Sequence, residues 1–316
     1  MSMGYNCVVI LGPTASGKTR LACQLADVLG AEVISADSRQ VYQHLNIGTG
    51  KDLAEYVVQG KQIPYHMIDV ADPHTQFYLH QYVEGMDEAF QSIILKNKWP
   101  IICGGTGLYL DALHKDFSNT AVPENADLRA ALEKESKAQL LAMLQTYPAA
   151  WHEKVDIQSK KRLVRALEIA VYKSQQGIDA IPVRPRPEYR PIYFGIAPDK
   201  LKRSDMIEKR LLTRMASGLV EEVKALMAMG VGHERLQRFG LEYKFVSYYL
   251  LGQMGKEEMQ SNLLVAINQY AKRQMTWFRK MEKEGIQIHW LEEEKEISAQ
   301  INWMVTLLMQ GESAQQ

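Results

Sequence analysis

The residues best suited to chemistry in this sequence form one glycine-rich run near its start. The run reads Gly12, Pro13, Thr14, Ala15, Ser16, Gly17, Lys18 and Thr19. It matches the P-loop pattern Gly-x-x-x-x-Gly-Lys-[Ser/Thr], in which backbone N–H groups surround phosphate oxygens, the lysine contacts the terminal phosphates and the last hydroxyl faces Mg²⁺. The pattern predicts binding of a di- or triphosphate with magnesium held by Thr19, and by itself it does not exclude ATP. The alternative is a glycine-rich turn without a ligand.

A second candidate is Asp37, which follows a short apolar run and precedes Ser38, Arg39 and Gln40. An aspartate at the end of a strand can reach a ligand and act as a general base or as a magnesium ligand. The alternative is that Asp37 or Ser38 only caps the following turn. Two further glycine-rich stretches, 47–51 and 104–107, can either present N–H groups to an anion or simply begin helices. The sequence leaves both possibilities open.

Alternating apolar and amphipathic segments must position these residues. Apolar runs at 7–11, 33–36, 66–70, 100–103 and 192–197 predict strands, and the segments 18–29 and 78–95 predict helices. This alternation indicates an α/β fold similar to the P-loop NTPases, with a parallel sheet covered by helices on both faces. Ligands bind such sheets at the carboxyl ends of the strands. We therefore expect four loops to meet there, namely 12–19, 37–51, the turn after Asp69, and 104–109.

The pattern changes between residues 116 and 190. Residues 123–174 are helical in character, and a proline-rich basic segment follows at 182–187. We predict a helical insertion domain at 116–190 within a catalytic core formed by 1–115 and 191–316. Residues 154–190 contain nine basic and four acidic side chains, an excess of five positive charges (9 − 4) in a chain of zero net charge. Such an excess favours contacts with RNA phosphates, although a solvated helix face has the same composition.

The remainder of the chain predicts helices at 201–229, 242–251 and 257–281, a strand at 288–291, and an acidic stretch at 292–294. Lys272 and Arg279 fall seven residues apart, as do Arg273 and Lys280, which gives the last predicted helix a basic face. We expect the two neighbouring aromatic residues of that helix, Trp277 and Phe278, in the core. On the first helix we expect Leu21, Leu25, Val28 and Leu29 on one side, as an apolar face.

Cysteine usage and hydropathy indicate the compartment. Cys7, Cys23 and Cys103 lack the spacing of disulfide or metal ligands, which is typical of buried thiols in a reducing compartment. The apolar run at 7–11 is far too short for a secretory or membrane-spanning segment. We expect a cytoplasmic monomer without a membrane contact.

Taken in order, these motifs resemble the tRNA dimethylallyltransferases, the isopentenyl transferases that modify the adenosine immediately 3′ of the anticodon. The resemblance is carried by GPTASGKT at 12–19, SADSRQVYQHLNIGTGK at 35–51, HMIDVADP at 66–73, GGTGLYLDAL at 104–113, KRLVRALEI at 161–169, IEKRLLTRMASGLVEEVKAL at 207–226 and AKRQMTWFR at 271–279. These segments span nearly the whole chain. Bacterial members lack the C-terminal zinc finger of the eukaryotic ones, and this sequence has no Cys/His cluster there either.

The resemblance implies a reaction and a set of residues. Dimethylallyl diphosphate would be the donor, adenine N6 the nucleophile and diphosphate the leaving group, in tRNAs that read codons starting with U. The P-loop would hold the diphosphate instead of ATP, with Lys18, Thr19 and Mg²⁺, and Arg210 stabilising its charge. Asp37 would take the proton from N6. The tRNA would be contacted by Asp37, Ser38, Arg39, Gln40, Thr106, Arg129, Lys161, Arg162, Leu163, Val164 and Arg165.

One segment departs from the family pattern. Bacterial members usually carry Arg-x-x-Gly-Tyr-[Arg/Lys], a stretch that contacts tRNA, before the late helices. This chain has RFGLEYK at 238–244, in which Gly240 and Lys244 align only loosely with that pattern. Two other functions share part of the motif set. A prenyltransferase acting on free adenine nucleotides would have the same P-loop and base, and a P-loop small-molecule kinase would use Asp37 on a substrate hydroxyl. A non-catalytic RNA-binding protein would not need Lys18, Thr19 and Asp37 intact.

Overall fold

Residues 4–153, 155–176, 185–292 and 295–313 are described by the structure, a computed structural model. Contacts group the chain into two units: Met1–Phe77, Gln81–His114 and Pro187–Gln316 form the first, and Tyr78–His80 with Lys115–Arg186 form the second. The proline-rich segment at 182–187 and the acidic stretch at 292–294 lie partly outside the described residues.

A parallel sheet of six strands forms the centre of the first unit, as the alternating pattern predicts. The strands along the chain are β1 (Cys7–Leu11), β2 (Glu32–Ala36), β3 (Val57–Val58), β4 (Lys61–Gln62), β5 (Tyr65–His66), β6 (Pro100–Gly104), β7 (Pro191–Gly195) and β8 (Ile288–Trp290). Their order across the sheet is β5-β2-β6-β1-β7-β8, while β3 and β4 form a separate antiparallel pair. Leu11 of β1 and Ala36 of β2 both pair with Gly104 of β6. Three carboxyl ends therefore lie side by side.

Helices account for most of the remaining described residues. In the first unit they are α1 (Lys18–Leu29), α2 (Leu79–Leu95, which begins in the second unit) and α3 (Gly107–Asp111). The second unit contributes α4 (Ala126–Leu132), α5 (Lys137–Leu144) and α6 (Lys160–Gln176). The first unit then continues with α7 (Lys200–Ala216), α8 (Leu219–Ala228), α9 (His233–Leu236), α10 (Leu241–Leu250), α11 (Lys256–Lys283) and α12 (Ile297–Ser313).

The central strands β1, β2 and β6 are buried along their whole length. Helix α1 contributes Leu21, Ala22 and Leu25 to the same core as β1 and β6. Val28 was expected on the same apolar face of α1, but it is 60% exposed, because the contact stripe of α1 runs through Ala22 and Ala26 instead. The three cysteines are free and buried as expected, and burial raises the pKa of each thiol.

Two predicted elements differ from the structure. The strand expected at 66–70 is limited to Tyr65–His66, because Met67 and Asp69 adopt positive φ angles of 63° and 58° that end the strand. The helix expected at 201–229 is two helices, since Gly218 between α7 and α8 has φ 97°. Helix α12 was not predicted. Its buried Ile301, Met304 and Leu308 complete the sheet core.

The second unit is helical in its described part. A core of leucines and alanines joins α5 to α6, including Leu140, Leu144, Leu163 and Leu167. Helix α5 begins with a capping box in which Ser136 and Gln139 each satisfy the other's backbone N–H. Across the described residues of both units, none of the helices is long and apolar enough to cross a membrane.

Candidate active site

One cavity of about 940 Å³ lies at the carboxyl end of the sheet in the first unit. Three of the four loops expected there line it: the P-loop after β1, the segment from Asp37 to Asp52 after β2, and the loop from Gly105 after β6. The turn after Asp69 is absent from its described lining. Asp69 instead forms a close ion pair with the buried Lys51. Helices α7 and α11 and the segment at 237–244, which includes the divergent loop and the start of α10, supply the other walls. The local sequence pattern did not reveal this arrangement.

The P-loop is attached to α11 through Gln274. The side chain of Gln274 accepts a hydrogen bond from the Thr14 backbone N–H (2.8 Å) and donates one to the Gly105 carbonyl (2.9 Å). Gln274 is 7% exposed, so this bridge fixes the loops after β1 and β6 relative to each other. Among the described residues, the buried Ser16 hydroxyl has no hydrogen-bond partner. A buried polar group of this kind, inside a P-loop, is suited to a ligand oxygen.

Lys18 and Arg210 place positive charge beside the P-loop. Lys18 lies in the first turn of α1 and donates to the Pro13 carbonyl at 3.4 Å. Removal from water, helped by the nearby Arg210 guanidinium, lowers the pKa of Lys18. Arg210 donates to the Thr14 hydroxyl at 3.3 Å. An ammonium and a guanidinium on either side of a P-loop are suited to an anion with several oxygens.

Asp37 follows β2 directly and lines the same cavity. Its Oδ1 accepts the backbone N–H of Arg39 at 2.8 Å, so the capping role considered from the sequence is present. The structure records no hydrogen bond to Oδ2 among the described residues. Capping and proton transfer are compatible, because each can use a different carboxylate oxygen.

The loop after β6 is hydrogen-bonded to the segment after β2. Thr106 donates its backbone N–H to the Ala36 carbonyl (3.2 Å), and its hydroxyl accepts the N–H of Ser38 (3.2 Å). Tyr270 of α11 lines the cavity along with Thr106, and burial, together with the Asp37 carboxylate, raises the pKa of Tyr270 to about 12. Tyr270 is therefore a neutral hydroxyl group beside Asp37 at physiological pH.

The backbone at the start of the glycine-rich stretch 47–51 binds a carboxylate of the protein itself, that of Glu222 in α8. The backbone N–H groups of Asn46, Ile47 and Gly48 all donate to the carboxylate of Glu222, at 2.9, 2.7 and 3.0 Å. Tyr243 donates to the same carboxylate at 2.7 Å. These amides are therefore not available to phosphate, and the phosphate-binding alternative for this stretch is wrong. The stretch at 104–107 begins the helix α3.

Gln40 also has internal partners. Its side chain accepts from the Ser35 hydroxyl (2.9 Å) and donates to the Gly50 carbonyl (3.0 Å). Arg39, by contrast, is exposed and lines the cavity. Within the segment 37–40, Gln40 positions the neighbouring loop, and Arg39 faces the solvent side.

Cavity residues that sequence reasoning missed come mainly from α7 and α11. They are Arg214, Tyr270, Gln274 and Trp277. Arg214 could have been found from its i+4 spacing to Arg210, which places both on one side of a helix. Trp277 was expected in the core with Phe278, but only Phe278 is buried. Trp277 packs against Gly107 and donates to Asp111 at 3.3 Å.

The RNA-binding candidates of the second unit fall into three classes. Lys161 and Arg162 are exposed at the start of α6, where Arg162 forms an exposed ion pair with Asp156 at 3.0 Å. Leu163 and Val164 are buried in the core of the unit. Arg129 and Arg165 pair with the buried Glu168, where Arg129 Nε and Nη2 lie 2.9 and 2.8 Å from its two oxygens. Although burial opposes the shift, hydrogen bonds led by that from Arg129 lower the pKa of Glu168.

A magnesium site of the P-loop type is compatible with the groups present. Among the described residues, no cluster of three or more His, Cys, Asp or Glu side chains is placed to hold a metal. Mg²⁺ is commonly bound through one or two protein oxygens together with substrate phosphates and water. The Thr19 hydroxyl and the Asp37 carboxylate both line the cavity. The donor set therefore fits a cation that arrives with a phosphorylated ligand.

Comparisons with known proteins agree with one another. A family model described as IPP transferase matches residues 40–281, and one described as Isopentenyl transferase matches residues 5–67. The chain is 44% identical to tRNA dimethylallyltransferase 1 of Parabacteroides distasonis, over 91% of this chain and 92% of that one. It is 42% identical to tRNA dimethylallyltransferase 2 of Bacteroides fragilis, over 95% and 97% of the two chains.

Solved structures show the same similarity. The full-length tRNA isopentenylpyrophosphate transferase from Bacillus halodurans superimposes with a TM-score of 0.68 at 27% identity, covering 98% of this chain and 99% of that one. A eukaryotic dimethylallyltransferase acting on tRNA gives a TM-score of 0.71 at 22% identity, covering 91% of this chain and 73% of that one. The second comparison bears on the fold alone.

Proposed function

The chain belongs to the IPP transferase family, and we propose that it transfers a dimethylallyl group from dimethylallyl diphosphate to a tRNA. The acceptor is N6 of the adenosine adjacent to the anticodon on its 3′ side, in tRNAs that read codons starting with U, and diphosphate is released. One observation supports this proposal most strongly. A single cavity brings together the P-loop, the guanidinium of Arg210 and the carboxylate of Asp37.

The proposed reaction needs positive charge at the leaving diphosphate and a negatively charged base at the adenine N6. The N6 lone pair attacks C1 of the allylic group while the bond between C1 and the diphosphate oxygen breaks. Negative charge grows on the departing diphosphate, where Lys18 and Arg210 stabilise it more strongly in the transition state than in the ground state. The proton lost from N6 goes to the Asp37 carboxylate, which acts as general base.

Magnesium would be held by the Thr19 hydroxyl and the donor's phosphate oxygens. Bound there, the cation would neutralise part of the diphosphate charge. The P-loop N–H groups and Lys18 would bind the rest of the diphosphate. They would thereby orient the donor so that C1 of its allylic group faces the acceptor. Gln274 contributes indirectly, because it holds the P-loop against the loop after β6.

RNA binding would be shared by both units. In the first unit, Asp37, Ser38, Arg39 and Thr106 would surround the reacting adenosine, while Gln40 positions the neighbouring loop. In the second unit, the exposed Lys161 and Arg162 are suited to phosphate contacts, which give affinity without sequence information. Arg129 and Arg165 would contribute only those N–H groups that are not hydrogen-bonded to Glu168. The adenine must leave its stack to reach a donor in a cavity, as in other enzymes that modify bases.

The experiment offers labelled dimethylallyl diphosphate together with three acceptors. These are an anticodon stem-loop with adenosine 3′ of the anticodon, the same stem-loop with guanosine there, and AMP. We expect label in the adenosine stem-loop and none in the guanosine stem-loop. AMP should be at least about 100-fold poorer, because binding energy from the stem orients the base. A parallel reaction offers labelled ATP with small hydroxyl acceptors. Comparable transfer to AMP would indicate a nucleotide prenyltransferase, and ATP consumption without prenylation would indicate a kinase.

A further inference from the structure

Two arginines of α7 lie over one glycine at the P-loop end of the cavity. Arg210 and Arg214 are one helical turn apart, and both guanidinium groups approach Gly50. A Cβ atom built at Gly50 would lie 1.8 Å from Arg214 Nη2 and 2.1 Å from Arg210 Nη2. Only glycine leaves room for this approach, so both guanidinium groups pack directly against the backbone at Gly50.

Each of these cations pairs with a carboxylate, and the two pairs differ in burial. Arg214 and Glu242 are 2.6 Å apart, with side chains 10% and 15% exposed. Arg210 and Asp52 are 2.7 Å apart, with side chains 26% and 45% exposed. A buried pair is costly to separate, whereas an accessible pair exchanges partners easily. The Arg214 pair is therefore structural, and the Arg210 pair is exchangeable.

Arg210 is already aimed at the phosphate site while it is paired with Asp52. Its Nη1 donates to the hydroxyl of Thr14 in the P-loop (3.3 Å), and its Nη2 lies 3.4 Å from the Gly50 carbonyl. Asp52 and Glu55 line the same cavity. The Asp52 carboxylate thus pairs with the guanidinium that a bound diphosphate would use. Its negative charge also repels the diphosphate.

We propose that Asp52 is an intramolecular counter-ion that competes with diphosphate for Arg210, and that it thereby limits how tightly the cavity retains the diphosphate product. The proposal rests on the proposed function above. In the absence of an anion, Asp52 holds Arg210 beside the P-loop. When diphosphate is bound, Arg210 turns to it, and after the reaction the Asp52 carboxylate assists release.

The test is the affinity of the full-length protein for inorganic pyrophosphate with Mg²⁺, measured by calorimetry at low salt. Asp52 has φ 45°, a conformation that asparagine tolerates better than most residues, so Asp52→Asn removes the charge and keeps the backbone. We expect the Kd of Asp52→Asn to be about three to ten times lower than that of the wild type. In turnover assays, pyrophosphate should inhibit the variant at correspondingly lower concentrations.

Two controls separate this effect from a general change of charge. Asp27→Asn makes the same charge change on α1, where Asp27 pairs with Lys61 at 3.2 Å and is absent from the described lining of the cavity. Its pyrophosphate affinity should equal that of the wild type. In an Arg210→Ala background, Asp52→Asn should lose most of its gain, because the competition requires the guanidinium.

The outcomes distinguish the possible failures. Unchanged or weaker pyrophosphate binding by Asp52→Asn would contradict the proposal and leave Asp52 as a residue that only holds Arg210. A full gain in the Arg210→Ala background would contradict it too, since general repulsion would then account for the effect. Failure of the wild type to bind pyrophosphate would overturn the proposed function together with this inference.

Discussion

At the scale of single residues, Asp37 combines two tasks in one side chain. One carboxylate oxygen caps the turn after β2 by accepting the N–H of Arg39. In the proposed reaction the other oxygen receives the proton from N6. A substitution that keeps the first oxygen and removes the basicity of the second separates these tasks.

Asp37→Asn is that substitution, since the amide oxygen can still accept the Arg39 N–H. We expect single-turnover prenylation to fall by roughly 10²–10⁴, the usual contribution of a positioned general base. Binding of dimethylallyl diphosphate and of the stem-loop should remain near wild type. A single-turnover rate within threefold of the wild type would leave Asp37 as a cap only.

Lys18 and Arg210 act on the opposite end of the bond that breaks. Lys18→Ala and Arg210→Ala should each weaken donor binding and also slow the chemical step, because the charge that they stabilise grows toward the transition state. Equilibrium binding of the donor and single-turnover rates with saturating donor measure the two effects separately. Loss of stem-loop affinity alone, with donor binding intact, would reassign either residue to RNA binding.

At the scale of elements, α6 contains both exposed and internally paired cations. Lys161→Ala combined with Arg162→Ala should weaken stem-loop binding and flatten its salt dependence by about 0.7–0.9 in log–log slope for each lost phosphate contact. Lys134→Ala, an exposed change elsewhere in the same unit, serves as the matched control. An unchanged slope for the double variant would mean that this end of α6 is a solvated face.

Arg165 should behave differently, because it helps to neutralise the buried Glu168. We expect Arg165→Ala to lower the free energy of unfolding by about 1–3 kcal/mol, the usual cost of leaving a buried polar group partly unsatisfied. Chemical denaturation measures this loss. Full stability with weakened RNA binding would contradict the structural role and support a direct phosphate contact.

Strand β2 begins with another buried carboxylate, Glu32. Burial works against its ionisation, but hydrogen bonds from Lys98, His66 and Lys96 dominate and lower the pKa of Glu32 to about 2. A carboxyl with a lowered pKa in the folded state stabilises the protein above its unfolded pKa, about 4.5, and loses that effect as the pH falls toward 2. The stability advantage of the wild type over Glu32→Gln should therefore be constant above pH 5 and shrink below it in denaturation experiments. A constant difference down to pH 3 would contradict the lowered pKa.

Local patterns predicted the strands and helices that bury one contiguous apolar surface, such as β1, β6 and α1. They failed where contacts between residues distant in sequence determine the local structure. The apolar run at 66–70 looked like a strand, yet the ion pair of Asp69 with Lys51 accompanies a backbone that turns away. Similarly, the P-loop and Asp37 could be found from the sequence, but Gln274 could not. It reaches Thr14 across 260 residues of sequence.

At the scale of the whole molecule, the proposed work is divided between the two units. The first holds the cavity with the P-loop and Asp37, and the second holds the basic end of α6. Because the chain has zero net charge, RNA attraction must come from local patches and should be sensitive to salt. Neutralising Lys161 and Arg162 should accordingly leave binding of dimethylallyl diphosphate unchanged.

The central claim, prenylation of the adenosine next to the anticodon, is tested most directly by mass analysis of tRNA nucleosides. The tRNA would come from cells that lack this gene and from the same cells carrying the wild-type gene or the gene for Asp37→Asn. We predict that N6-dimethylallyladenosine, including derivatives made from it, disappears on deletion, returns with the wild type and stays absent with Asp37→Asn. Unchanged levels of these nucleosides after deletion, in cells with no second copy of the enzyme, would contradict the account.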